Sequence, residues 1–342
     1  MPSEQPVILY HYVFSPYAKR IVWYLQLRGI PYKQCMQPPI MPRPDIAKLG
    51  IRYRRIPIVS IGRDVYLDTR LILQKLELLP TKEPRLGAAE GTEQRGIERL
   101  LEVLNIDGGV FTWAAALLPR DLPIFKDPNF LKDRADFLNG GGNALGQKSP
   151  AAKYEALNDI RNAFVLLETT LLADGRDWIL KTDSPGLADI EAIWPFHWLT
   201  GLPGALPPDQ ISKTQFPKVF AWIERFDQAV SEAKEKMGKV PNLSGEEAAN
   251  AIVGSPHFEV QDGKVNESEP LVKALGLKRG GGVVIFPLDS GSSHKDHGVL
   301  LSLDSKEVVF ETMADMQGSP AIRVHAPRHG FRIAREDQAS RL

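Results

Sequence analysis

The sequence predicts an α/β unit, then an all-helical unit, then a small β-rich unit. Three observations carry this. Apolar runs of strand and helix period alternate through residues 7–80, residues 88–237 hold helical periodicity alone, and from Pro256 onward short apolar runs are separated by turns. At 342 residues the chain is too long for one ordinary core. The expected boundaries are 1–82, 83–238 and 239–342.

Residues 7–12 are an apolar run and read as a buried strand. A helix follows over 18–28, with Ile21, Val22, Leu25 and Leu27 at helical spacing and Gly29 to end it. Residues 32–36 read as a second strand. A loop with Pro38, Pro39, Pro42 and Pro44 then leads to a short helix over 45–49. Residues 58–61 and 65–67 flank the turn Gly62-Arg63-Asp64 and read as a hairpin. A helix over 68–79 is stopped by Pro80.

In the second unit, a long helical pattern over 90–118 is interrupted at Gly108-Gly109. The glycine run at 139–143 reads as a loop reaching Pro150. Residues 151–173 are helical by spacing, and 187–199 are so uniformly apolar that a central buried helix is expected. Val219, Trp222, Ile223, Phe226 and Val230 form one face of a helix over 216–237. Beyond it come a link over 238–245, a short helix over 246–253 and five short strands at 282–287, 298–303, 307–311, 321–326 and 330–333. That spacing predicts a small barrel or sandwich.

Composition is that of a globular protein, with 43% hydrophobic and 25% charged residues. The 42 basic and 42 acidic residues balance, so no global charge recruits nucleic acid or an anionic membrane. Cys35 is the single cysteine, which excludes an intramolecular disulfide and a cysteine metal cluster. The first residues lack a secretory pattern and no apolar stretch has membrane length, so a reducing, cytoplasmic setting is expected.

The densest chemical signal is Phe14-Ser15-Pro16-Tyr17-Ala18-Lys19-Arg20, directly after the first strand. Ser15 has the chemistry of an N-cap and Pro16 suits the first helical position. Unpaired N–H groups at such a helix start favour an anion, and a thiolate held there has a lowered pKa. The plainer reading is that Ser15 only caps the helix.

Residues 7–237 resemble a cytosolic glutathione transferase of the serine or cysteine type: a thioredoxin-like domain followed by an all-helical one. Four features carry the resemblance, namely Ser15-Pro16-Tyr17-x-x-Arg20, Ile56-Pro57-Ile58, Asp68-Thr69 before an apolar helix, and Gly186-Leu187-Ala188-Asp189-Ile190. It implies glutathione as cosubstrate and Ser15 as the residue that hydrogen-bonds its sulfur. It also implies that Pro57 is cis and that Ile56 binds the cysteinyl main chain. Asp68 and Thr69 would then hold the γ-glutamyl unit, and Arg43 would pair with the glycyl carboxylate. From the residues alone, Pro57 equally starts an edge strand, Asp68 and Thr69 equally cap a helix, and Arg43 equally is a solvated charge.

The implied reaction is thiolate attack on a small, apolar electrophile. A glutathione-dependent double-bond isomerase and a non-catalytic binding protein on the same fold are the rivals. A homodimer is the default by resemblance, and the proline-rich loop and Asp-Thr pair look fungal, hinting at secondary metabolism. Departures stand beside the matches. Asp68-Thr69 replaces the family's Glu-Ser, Gly186 leaves the box with Asp189 incomplete, and residues from about 240 onward lie outside the usual architecture.

Other residues have plainer readings. Tyr10 and Tyr12 share a strand face and read as core, and Cys35 reads as a buried apolar residue. No metal is expected, although Ser293-His294-Lys295-Asp296-His297, together with His325 and His329, has metal-ligand residue types. Trp194, Phe196, His197 and Trp198 read mostly as core, with one face available to line an apolar pocket.

Overall fold

A computed structural model describes residues 5–138, 150–260, 263–314 and 318–341. The loop expected at 139–143 lies outside the described residues. The first unit runs β1 (Val7–His11), α1 (Pro16–Leu27), β2 (Lys33–Met36), α2 (Pro44–Ala47), β3 (Ile58–Ile61), β4 (Asp64–Leu67) and α3 (Thr69–Leu76). Helices follow as α4 (Glu93–Ile106), α5 (Val110–Ala116), α6 (Pro128–Phe137), α7 (Pro150–Leu166), α8 (Leu187–Thr200) and α9 (Pro217–Met237). The last part holds α10 (Gly245–Val253), α11 (Pro270–Leu275), β5 (Gly282–Pro287), β6 (Asp296–Leu303), β7 (Glu307–Thr312), β8 (Ile322–Pro327) and β9 (Phe331–Arg335). The helices α6 and α11 have no counterpart in the sequence reading. Each is short and opens on a proline after a polar residue, which resembles a turn.

The barrel or sandwich expectation is corrected here. The nine strands form one open sheet in the order β2-β1-β3-β4-β8-β7-β6-β5-β9. The seam is a parallel pairing of β4 with β8, in the register Val65↔Val324 and Tyr66↔His325. An unpaired β4 edge would expose a row of N–H and C=O groups, and β8 covers it within the same chain. Alternation sends successive side chains to opposite faces. Val7, Leu9, Val59 and Tyr66 join a core shared with the helices. Ile8, Tyr10, Ile58, Val65 and Leu67 join a second core with Ala248, Ile252, Val324 and Ala326. The C-terminal strands thus complete the other face of the first unit.

Buried charge reinforces the seam. Asp64, fully buried, accepts from Phe258 N (2.7 Å), Glu259 N (2.8 Å) and His257 Nδ1 (3.0 Å), with His325 Nε2 at 3.3 Å. His325 Nδ1 lies 2.6 Å from Glu307, and Lys75 Nζ sits 2.6 Å from Glu259 and 2.8 Å from Glu307. Burial alone would lower the His325 pKa, but its hydrogen bonds to Asp64 and Glu307 raise it.

The expected central helix is α8, buried along nearly its whole length and containing Pro195. Half of its capping box is present, since Asp189 Oδ2 accepts from Gly186 N at 2.9 Å. Its other oxygen accepts from Ile179 N (2.9 Å) and Trp222 Nε1 (2.8 Å), tying α8 to α9. Burial raises this carboxyl to about 6. Among the described residues, no helix is long and apolar enough to cross a membrane.

Candidate functional site

The registers Tyr10↔Ile58 and Ile58↔Leu67 bring the end of β1, the entrance to β3 and the end of β4 to one edge of the sheet. Ser15, Ile56 and Asp68 lie just beyond those three strand ends. Ser15 has extended backbone (φ −72°, ψ 118°), and Pro16 holds the first helical position. Its Oγ accepts from Ala18 N at 3.2 Å, so the cap is real. Only 3% of Ser15 is exposed, and among the described residues its O–H has no protein acceptor. Val13 and Phe14 beside it stand out into solvent at 68% and 52% exposure.

The Ile56–Pro57 peptide is cis. Among the described residues, neither the N–H nor the C=O of Ile56 has a hydrogen-bond partner. Its predecessors are all held. Arg52 N and Tyr53 N donate to Asp296 Oδ1 at 2.6 and 3.2 Å. The Arg54 carbonyl accepts from Arg43, and Arg55 Nε donates to Ser290 O at 2.9 Å.

At the third strand end, Asp68 takes a positive φ of 66° and its carboxylate accepts from Arg70 N at 3.0 Å. It remains partly exposed. Thr69 is buried, and its Oγ1 accepts from Arg20 Nη1 at 2.6 Å. Arg20 also pairs with buried Glu191 and lies 5.3 Å over Trp194. The arginine of the Ser15-Pro16 motif is therefore a strut joining α1, α3 and α8.

Arg43 is not the solvated charge that its loop position allows. It is 4% exposed and donates to Pro38 O (3.0 Å), Pro39 O (3.3 Å) and Arg54 O. Burial pulls its pKa down to about 10. A guanidinium with three of its five donors on backbone carbonyls braces the loop.

Tyr10 is fully buried, and Cys35 is buried with its thiol pushed up to about 12 by burial and then by Asp45. The 293–297 run is dispersed: His294 meets Asp136 (3.0 Å), His297 meets Glu336 (2.8 Å), and Asp296 turns inward to the 52–53 loop. Metal-type geometry occurs instead at Glu259, Glu307 and His325, whose ligand atoms lie within 4.8 Å of one another. The Lys75 ammonium already sits between the two carboxylates. A cavity of about 180 Å³ lined by Met41, Pro42, Ile46, Ile51, Tyr53 and His294 lies to one side and does not include Ser15, Ile56 or Asp68. Sequence reading placed Asp296 and His325 only among metal-type residues and missed Asp64; their partners depend on pairings between distant segments that no local pattern signals.

The first unit has a thioredoxin-like fold, and its residues 9–84 match the family model for the glutathione S-transferase N-terminal domain. Residues 113–235 match a domain of unknown function (DUF7962). Among solved structures, a GST-like protein from Pseudomonas syringae is 22% identical, with 97% of this chain and 100% of that chain covered at a TM-score of 0.71. The β-etherase LigF from Sphingobium sp. strain SYK-6 is 17% identical, covering 67% of this chain and 99% of that chain at a TM-score of 0.52. The Pseudomonas protein is thus similar in fold across the C-terminal strands as well. A comparison with curated proteins found no match.

Proposed function

We propose that this protein binds glutathione along the Ile56 edge and acts as a glutathione transferase-type enzyme. The observation that carries this is the open N–H and C=O of Ile56, at the same sheet edge as the start of α1 and Asp68. An extended peptide can pair with such a backbone as if it were one more strand. Asp68 supplies a carboxylate for the γ-glutamyl amino group, and the Thr69 hydroxyl can donate to the neighbouring carboxylate. Ser15 then donates to the cysteinyl sulfur, while the N-terminus of α1 favours the thiolate. Glutathione supplies that nucleophile. Val13 and Phe14 offer an apolar lip to an electrophile of matching character.

Isothermal titration of glutathione into the full chain tests the binding. Ser15→Ala tests the chemistry, with turnover expected to fall roughly 10²-fold and affinity to change little, by analogy with loss of one preorganised donor. Unchanged turnover removes Ser15 from the mechanism. A binding role without turnover is the second reading, favoured by the deep burial of Ser15. Glutathione binding with no activity on any electrophile would select it.

A further inference from the structure

Residues 50–55 reach the open backbone at Ile56 without a strand ladder of their own. The C-terminal strands hold much of this segment. Thr312 Oγ1, at the end of β7, donates to Gly50 O at 3.1 Å. Gly50 has φ +71°, and a Cβ there would collide with the Met313 carbonyl, so the approach requires glycine. Phe331, at the start of β9, stacks on Tyr53 with ring centroids 5.9 Å apart and planes 22° apart. Asp296, at the start of β6, is 2% exposed and accepts both Arg52 N and Tyr53 N on one carboxylate oxygen.

We propose that Asp296 is a positioning residue for the Ile56 backbone site, so that the C-terminal sheet forms part of the ligand-binding apparatus. The proposal rests on the glutathione reading of Ile56. Two N–H groups converging on one buried oxygen set the path of residues 52 and 53. Arg43 and Ser290 then hold 54 and 55, and Ile56 follows with its polar groups presented edge-on. Removing the carboxyl leaves two backbone donors unpaired, the one on Tyr53 buried, and the segment must shift to hydrate them. An asparagine keeps an acceptor oxygen in the same place.

Two measurements on the full-length chain test this: hydrogen exchange of the 50–57 segment by mass spectrometry and glutathione affinity by calorimetry. Asp296→Ala should lose protection over 50–56 and bind glutathione about tenfold more weakly, the equivalent of one hydrogen bond. Asp296→Asn should stay within about threefold of the native chain, because the acceptor is restored. A purely structural carboxyl would lower the unfolding temperature and leave the affinity of the folded protein unchanged, and that result overturns the proposal. If Asp296→Ala does not fold, free exchange of residues 52–53 in the native chain overturns it equally. Failure of the native chain to bind glutathione sinks the functional reading instead, and the exchange comparison still decides whether Asp296 holds the loop.

Discussion

The two ends of the β1-β3-β4 sheet make opposite use of polar groups. At the Ile56 end, backbone N–H and C=O groups are left open beside a helix start and a partly exposed carboxylate. At the Asp64 end, three carboxylates meet Lys75, His325, His257 and several backbone donors, with Asp64, Lys75 and His325 buried and the rest half-buried. Both ends are rich in chemistry-bearing residues. They differ in whether the protein satisfies itself. A cluster whose charges are matched internally is a fastener, since any ligand would first have to break existing pairs. Polar groups left unmatched at an edge form a site.

That contrast is broken most severely at Asp64. Asp64→Ala removes the acceptor for two backbone N–H groups and leaves His325 without a partner for Nε2, and we expect a loss of about 3–5 kcal/mol in chemical denaturation. A loss below about 1 kcal/mol would mean that the cluster is ornamental.

The seam should also carry a pH signature. A folded-state pKa raised above 6.5 for His325 contributes stability that is fully present below 6.5 and fades as pH rises through the folded value. Burial opposes ionisation of Asp64 and Glu307, yet contacts with His325 lower both, so their contribution is present above 3.8 and 4.5 and is lost as pH falls. Asp296, raised to about 7 mainly by burial, contributes stability that is present below 3.8 and is lost as pH rises from there to about 7. The seam's own stabilisation should therefore be greatest between 4.5 and 6.5, and unfolding temperature should fall as pH rises above 6.5 through the folded value of His325. His325→Gln should reduce the alkaline slope, and an unchanged slope would place the titration elsewhere.

The smallest effect belongs to the open end. Phe14→Ser removes an exposed ring and should shift stability by less than about 0.5 kcal/mol, while lowering the rate with apolar electrophiles. A large stability loss there would show that the lip is packed structure.

Much of the fold was legible in local pattern. The Ser15 cap, Pro16 at the helix start, the Gly108-Gly109 break before α5, and buried α8 each follow from neighbours within one helical turn. The solvated reading of Arg43 fails because the folded loop turns three carbonyls inward onto it. The C-terminal strands were recognised as strands but were given the wrong partners.

Period and capping residues thus dictated which segments become helix or strand and which face each one buries, because those preferences act between residues a few positions apart. The pairing of β4 with β8, the grip of Asp296 on residues 52–53 and the enclosure of His325 were decided by folding. Backbone ladders form through N–H and C=O groups common to every residue, so a strand's composition says how it packs and not which distant strand it joins.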